Sequence, residues 1–312
     1  MLDGGMNRAK RLMQTPPPAR KVLKADGLAA SGRDFSRSAN ADRLFFESIK
    51  LSNGSFKTTY EHRLDDLNAI VIPHIRAGPA PHRILDVGIS SGVSTLEWST
   101  MLANAEIPHR MFGIDLLVNA PLITFFGWFD VLVDNAGWPL QFAFGELTLR
   151  AWLRRRDWFT GYWLLVGAAH VLYRILRRQA NLNAATKTTT LPAWVQVDEL
   201  RLVSANLREA GIQVSEENVL DEPPPEWIGT ASVVRAANVL NRASFPTDKI
   251  SGAIAHLARR LRLDGLLIVC RTEVRDGSNH GSIYRRRDDH LELVATLGSG
   301  SEIHEIIETV RV

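Results

Sequence analysis

The sequence is poor in the residues that build covalent or metal frameworks. It holds one cysteine, Cys270, among 312 residues, which excludes an internal disulfide and any zinc site needing several thiolates. That cysteine lies in the apolar run GLLIVC, where an apolar surround disfavours thiolate and makes a buried structural thiol the expected reading. A lone reduced thiol suits the cytoplasm. Residues 1–40 are polar and rich in proline and basic residues, with no apolar segment of the signal-peptide type; a disordered tail is expected there. Charge of one sign is also scarce. The net excess is only +3, and it is local, so it does not argue for nucleic acid and no such partner is expected.

What is present is an ordinary globular composition, 45 % hydrophobic and 23 % charged, enough for a substantial core. Residues 41–80 read as an N-terminal helical segment, with Tyr60, Leu64, Leu67 and Val71 at helical spacing between Phe56 and Ile75. HRILDV and HRMFGIDL then read as strands around the helix VSTLEWSTMLANA. After residue 196 the alternation resumes. VDELRLVSANLREAG is expected to be a helix through Leu200, Val203 and Leu207, and IQVSEENVLD a strand with its exit loop. ASVVRAANVL is a strand, FPTDKISGAIAHLARRLRLDG a helix buried through Ile250, Ile254, Leu257 and Leu261, and GLLIVCRT an apolar central strand. SIYRRR and HLELVATLG flank Asp288, Asp289 and His290, which reads as the solvated tip of a hairpin and not as a metal site. The expected fold is α/β: a Rossmann-like, doubly wound, mostly parallel sheet with an antiparallel C-terminal hairpin strand, plus a mainly helical, aromatic-rich insertion. The core would comprise 81–115 and 197–312, and the insertion 116–196.

In such a sheet the first strand-to-helix turn is where a ligand is sought. Here it reads ILDVGISSGVST at 84–95. A phosphate loop would need a lysine followed by Ser or Thr, and none is present. A dinucleotide turn would need three glycines in register, and Asp86 would place an anion beside an anionic ligand. The aspartate suits a cationic ligand instead.

The stretch is similar to motif I of class I S-adenosylmethionine-dependent methyltransferases, Asp-x-Gly-x-Gly-x-Gly. Asp86, Gly88 and Gly92 match, and Ser90 stands in place of the middle glycine. The resemblance implies S-adenosyl-L-methionine as cofactor, with the turn passing along its methionine portion and Asp86 orienting the ammonium directly or through water. It further implies that Asp115, ending the second strand, accepts from both ribose hydroxyls; two carboxylate oxygens suit that task. Asn218 with Val219 would meet the adenine, and Asn238 after the fourth strand would face the methyl group. The loops at 218–221 and 237–245 also resemble those of the chemotaxis-receptor glutamate methyltransferase branch, over the two loops alone.

The implied activity is methyl transfer by in-line displacement to an unidentified acceptor. Candidates at the mouth are Tyr60, Asn238, Asn241, Arg271, Asn279 and His280, the last as a general base. WFTGYWLLVGAAHVLY at 158–173 falls short of the roughly twenty apolar residues of a membrane span and carries arginines on both sides. It reads either as a cap over the pocket or as an interfacial element, with Trp128, Phe129, Trp152, Trp158, Tyr162, Trp163 and Tyr173 forming an aromatic belt. The second reading makes the acceptor a small apolar or lipid-like molecule and allows peripheral contact of 116–178 with the inner membrane face. The contrasting reading of the whole chain is a non-catalytic cofactor-binding module using the insertion for protein or membrane contact.

Overall fold

ASVVRAA at 231–237 is buried at every position, the pattern of a strand covered on both faces. The computed structural model, which describes residues 45–57, 60–145, 147–182, 191–273 and 275–312, places it at the centre of a sheet. In chain order the first elements are α1 (Asp65–Arg76), β1 (His82–Val87), α2 (Val93–Asn104) and β2 (His109–Asp115). Next come β3 (Asn119–Phe125), β4 (Phe129–Val133), β5 (Pro139–Phe144), β6 (Leu147–Arg150), α3 (Tyr162–Gln179) and β7 (Val195–Arg201). The chain closes with α4 (Asn206–Glu209), β8 (Gln213–Glu216), β9 (Ala231–Ala237), α5 (Thr247–Arg260), β10 (Leu261–Thr272), β11 (Asn279–Arg286), β12 (Leu291–Leu297) and α6 (His304–Thr309). Expectations for residues 1–40 lie outside the described residues.

The chain divides into two compact units. One contains Tyr60–Leu116 and Asn206–Val312; the other contains Leu117–Ala205 and the described residues before Tyr60.

In the first unit seven strands run in the order β12-β11-β10-β9-β1-β2-β8. β8, β2, β1, β9 and β10 are mutually parallel, and β11 and β12 add an antiparallel hairpin. This is a Rossmann-like, doubly wound fold. Strand order reverses between β1 and β9, so the turn after β1 sits at the switch point where such sheets take ligands. α5 buries Ile250, Ile254 and Leu257 against Leu85, Val87, Val234, Ala236, Leu267 and Val269. Leu261, assigned to that helix from its spacing, instead opens β10.

Two helices differ from expectation. α1 starts at the Asp65–Asp66 pair, whose carboxylates favour a helix N-terminus. Tyr60 therefore stands outside it and is exposed. The helix expected across 197–211 shrinks to Asn206–Glu209, because Val195–Arg201 pairs over its whole length with Asn119–Phe125.

The second unit corrects the expectation of a mainly helical insertion. It is a five-stranded antiparallel sheet, β6-β5-β4-β3-β7, with one long helix. Period-two alternation decides this. Ile123, Phe125, Phe129, Val131, Phe142 and Leu149 join one core with Ala169, Tyr173 and Leu176 of α3, while Leu122, Leu132, Leu140 and Leu200 join a second with Phe45, Phe46 and Ile49. Asp134 folds the β4–β5 turn, its Oδ1 accepting from the backbone N–H groups of Ala136 (3.0 Å) and Trp138 (2.8 Å). Among the described residues no helix is long and apolar enough to cross a membrane.

Candidate functional site

The turn after β1 is built from left-handed backbone. Gly88, Ser90 and Gly92 have φ of +69°, +59° and +89°. A Cβ on Gly88 would come within 2.4 Å of Val239 Cγ2, and one on Gly92 within 2.2 Å of Leu207 Cδ1. Motif I pointed to both glycines, and packing independently demands them. Ser90 adopts the conformation glycine would take at the middle position, at a cost of roughly 1–2 kcal/mol for an L-residue. The turn is tied to the end of β2: Gly88 N–H donates to Ile114 O at 2.8 Å, and Ser90 N–H donates to Asp115 Oδ2 at 2.7 Å.

Asp86 has a different environment from the one expected. It is buried, and both oxygens are engaged by the protein itself. Arg235 Nε donates to Oδ1 at 2.8 Å and Nη2 to Oδ2 at 2.6 Å, while Thr95 Oγ1 donates to Oδ2 at 2.6 Å. Arg235 is 1 % exposed. It also donates to Asn68 Oδ1 (2.9 Å) and Ser94 O (3.2 Å), and lies 4.1 Å over the Trp98 ring. The pair exists because Asp86 and Arg235 are register neighbours on β1 and β9. A direct contact of Asp86 with a ligand ammonium is therefore replaced by an internal fork-to-carboxylate pair. Arg235 was missed from sequence; its signal was a lone arginine in an apolar strand, a residue that must find a buried partner. Arg63 lies nearby, its pKa lowered by burial first and by Arg235 second.

Asp115 is where motif logic put it, at the end of β2, nearly buried and oriented by Ser90. The neighbouring strand β8 meets it there, as Glu217 N–H, just past β8, donates to Asp115 O at 3.0 Å. Asn218 follows β8 and forms a local turn, its Oδ1 accepting from Leu220 N–H at 3.1 Å and its Nδ2 donating to Asp221 Oδ1 at 3.3 Å. The Val219 side chain packs into the core.

The candidates for chemistry are drawn into structural bonds. Asn238 is left-handed at φ +61°, and its side chain clamps the end of β10, donating to Thr272 Oγ1 at 3.1 Å and accepting from Thr272 N–H at 2.7 Å. Thr272 Oγ1 donates a hydrogen bond to Asn279 Oδ1 at 2.7 Å, and Asn279 Nδ2 donates to Arg63 O and Asp66 Oδ1, both at 2.6 Å. The structure thus brings Asn238 and Asn279 together through Thr272. His280 lies on β11 and not in a loop. Its Nδ1 accepts from Ser299 N–H at 2.9 Å, which places the proton of the neutral ring on Nε2, 3.1 Å from Ser278 Oγ. In this arrangement neither nitrogen is offered as a base. Arg271, the register neighbour of His280, pairs with Glu302. Asn241 accepts from Ser244 N–H at 2.9 Å. His290 bonds its neighbour Asp289 at 2.8 Å in the hairpin turn.

Together the strand order and the left-handed turn define a doubly wound α/β domain whose switch-point turn lies at the carboxyl ends of β1, β2 and β8. No family model matches the chain, and no curated protein does. Similar solved structures include the CMeT domain of the citrinin polyketide synthase, at 12 % identity and TM-score 0.34, over 76 % of this chain and 41 % of that one. Another is the Burkholderia thailandensis 1,6-didemethyltoxoflavin-N1-methyltransferase with bound 1,6-didemethyltoxoflavin and S-adenosylhomocysteine, at 13 % identity and TM-score 0.32, over 79 % and 65 %. A third is the PH0226 protein from Pyrococcus horikoshii OT3, at 10 % identity and TM-score 0.35, over 83 % of each chain. The chain spans less than half the length of the first of these. At such scores the fold class rests on the sheet's own strand order, and none of these likenesses bears on what the chain acts on.

Proposed function

We propose that this chain is a class I methyltransferase that binds S-adenosylmethionine at the carboxyl edge of β1, β2 and β8. The observation that carries this is the left-handed turn Gly88–Gly92 bonded through Ser90 N–H to the strand-end acid Asp115 at 2.7 Å. The residues fit an adenosyl group at the turn and strand ends, and do not fit a carboxylate–ammonium contact at Asp86. The turn backbone would hold the methionine portion, Asp115 the ribose hydroxyls, and Asn218 with the Val219 N–H the adenine. When bound, the cofactor supplies a sulfonium methyl already activated for in-line displacement. The chain's own task is then to align the acceptor and exclude water. Since His280 and Asn238 are engaged in structural bonds, an acceptor needing no base, such as a carboxylate, suits the site better than an amine or phenol. The likeness of two loops to the glutamate methyltransferase branch supplies no acceptor. An apolar or lipid-like acceptor and a cytoplasmic location with contact at the inner membrane face complete the proposal, supported by the exposed aromatics of the second unit.

Calorimetry with S-adenosylmethionine, S-adenosylhomocysteine and NAD tests the binding step. The expected result is binding of the first two, lost in Asp115→Ala, and none of NAD; absence of adenosyl-ligand binding, or preference for NAD, overturns it. The engagement of His280 and Asn238 also favours a second reading, a cofactor-binding module without turnover. Binding without donor consumption across carboxylate, amine, phenol and lipid acceptors would select that reading.

A further inference from the structure

The second unit contains a helix that is apolar on two faces. Val166, Ala169, Tyr173 and Leu176 of α3 are buried, against the sheet core. The opposite face carries Leu164, Ala168, Val171 and Ile175, spaced i, i+4, i+7 and i+11, and it is exposed, Val171 by 57 %. The apolar surface continues around the helix start. There Phe159 is 88 % and Trp158 60 % exposed, and the Trp158 ring stacks on Trp163 at 5.6 Å. Leu165 is exposed on the same turn.

The charges along this stretch of chain have one sign. From Trp158 through Val197 the sequence contains neither aspartate nor glutamate. Asp157, just before it, is buried and held by Arg150 Nη2 and Arg154 N–H. Arg150 and Arg177 are also committed internally, the latter to Gly137 O and Leu182 O. Arg155, Arg156, Arg174 and Arg178 are exposed. The aromatic belt expected from sequence is correspondingly smaller: Phe129 and Tyr173 are core, Tyr162 and Trp152 are bonded to the unit's own backbone, and Trp128, Trp158 and Trp163 remain exposed.

We propose that α3 and the 3₁₀ turn before it (Arg155–Trp158) dock flat on an anionic lipid surface. Apolar side chains on the outward face enter the headgroup–acyl boundary, and the exposed arginines meet lipid phosphates and carboxylates. α3 lies on the membrane without crossing it, since its other face is already packed on the sheet. This deepens the membrane contact proposed above and does not depend on whether the first unit transfers methyl groups.

The sole cysteine provides a clean test. Cys270 is 2 % exposed and burial pushes its thiol up to about 12, so the full-length Leu164→Cys protein takes an environment-sensitive thiol dye at position 164 alone. The labelled protein is mixed with phosphatidylcholine vesicles with and without one-third phosphatidylserine. The expected result is a blue shift with the serine lipid only, reversed by high salt. In sedimentation, Arg174→Glu/Arg178→Glu and, separately, Trp158→Ala/Phe159→Ser should each weaken partitioning at least about tenfold, with unchanged circular dichroism. No shift with either vesicle overturns the proposal, as does an equal shift with both. A shift present before vesicles also overturns it. If that shift rises with protein concentration, a second copy covers the face; if it is concentration-independent, the chain's own segment does.

Discussion

The pair Asp86–Arg235 lends itself to a double-mutant cycle. The two residues are 4 % and 1 % exposed, so removing either leaves a charge with no water to receive it, at a cost of about 3–5 kcal/mol. Arg235→Met belongs at the upper end of that range. It strips Asp86 of two charge-assisted bonds and also removes those to Asn68 and Ser94, together with the contact over Trp98. Asp86→Leu belongs at the lower end, because Asn68 Oδ1 and Ser94 O still accept from Arg235. The double variant Asp86→Leu/Arg235→Met buries no charge and should lie within about 2 kcal/mol of the parent, since apolar replacements of buried pairs are often neutral or better. Arg242→Met is the control, as the Arg242–Glu305 pair is exposed and should contribute under about 1 kcal/mol. Urea unfolding followed by near-ultraviolet circular dichroism reads all four. Single losses under about 1 kcal/mol, or a double variant whose loss equals the sum of the singles, would refute the assignment of a coupled buried pair.

Gly88→Ala should destabilise by about 1–3 kcal/mol, with partial recovery in Gly88→Ala/Val239→Ala, because the added Cβ meets Val239; thermal unfolding checks both. Ser90→Gly should change stability by less than about 1 kcal/mol, since relief of left-handed strain offsets the greater entropy of an unfolded glycine. Cys270 should be silent to a thiol reagent at pH 8 in the native protein and fully reactive in urea; rapid native labelling would show that its strand opens. His82 has its pKa lowered from the ordinary 6.5 by burial first, then by Arg262 and His109. The folded state thus binds a proton less readily than the unfolded one. Its contribution is complete above about pH 6.5 and is lost as pH falls towards the lower folded value. Urea midpoints should therefore fall with acid more steeply in the parent than in His82→Gln, and equal slopes would contradict the shift.

The strands of the first sheet were legible because runs such as the fully apolar GLLIVC, and ASVVRAA with only Ser232 and Arg235 polar, suit strands covered on both faces. α5 was legible through Ile250, Ile254 and Leu257, and the glycine turn through its backbone demands. Two things were hidden for identifiable reasons. The Asp86–Arg235 bond joins residues 149 positions apart, and only strand register reveals it. In the second unit the β4–β5 pair was legible as a hairpin turning at Asn135–Gly137, while the other strands were masked by their composition. Pro121 reads against a strand, yet β4 begins its pairing with β3 only at Leu122, so no bond between those two strands is lost. Leu200, Val203 and Leu207 mimic a helical stripe, while the pairing of β7 with β3 fixes the first of them as strand.

The nesting of one unit inside the other has a consequence for the order in which the chain can acquire structure. β3 to β6 pair with their immediate sequence neighbours, so this meander can zip together as soon as it leaves the ribosome, and β7 closes it against β3. β1, already synthesised, must wait for β9, and Asp86 waits buried-to-be beside water until Arg235 arrives. The second unit therefore has the kinetic means to form first, and the pairing of β1 with β9, with its Asp86–Arg235 bond, follows once β9 has been made.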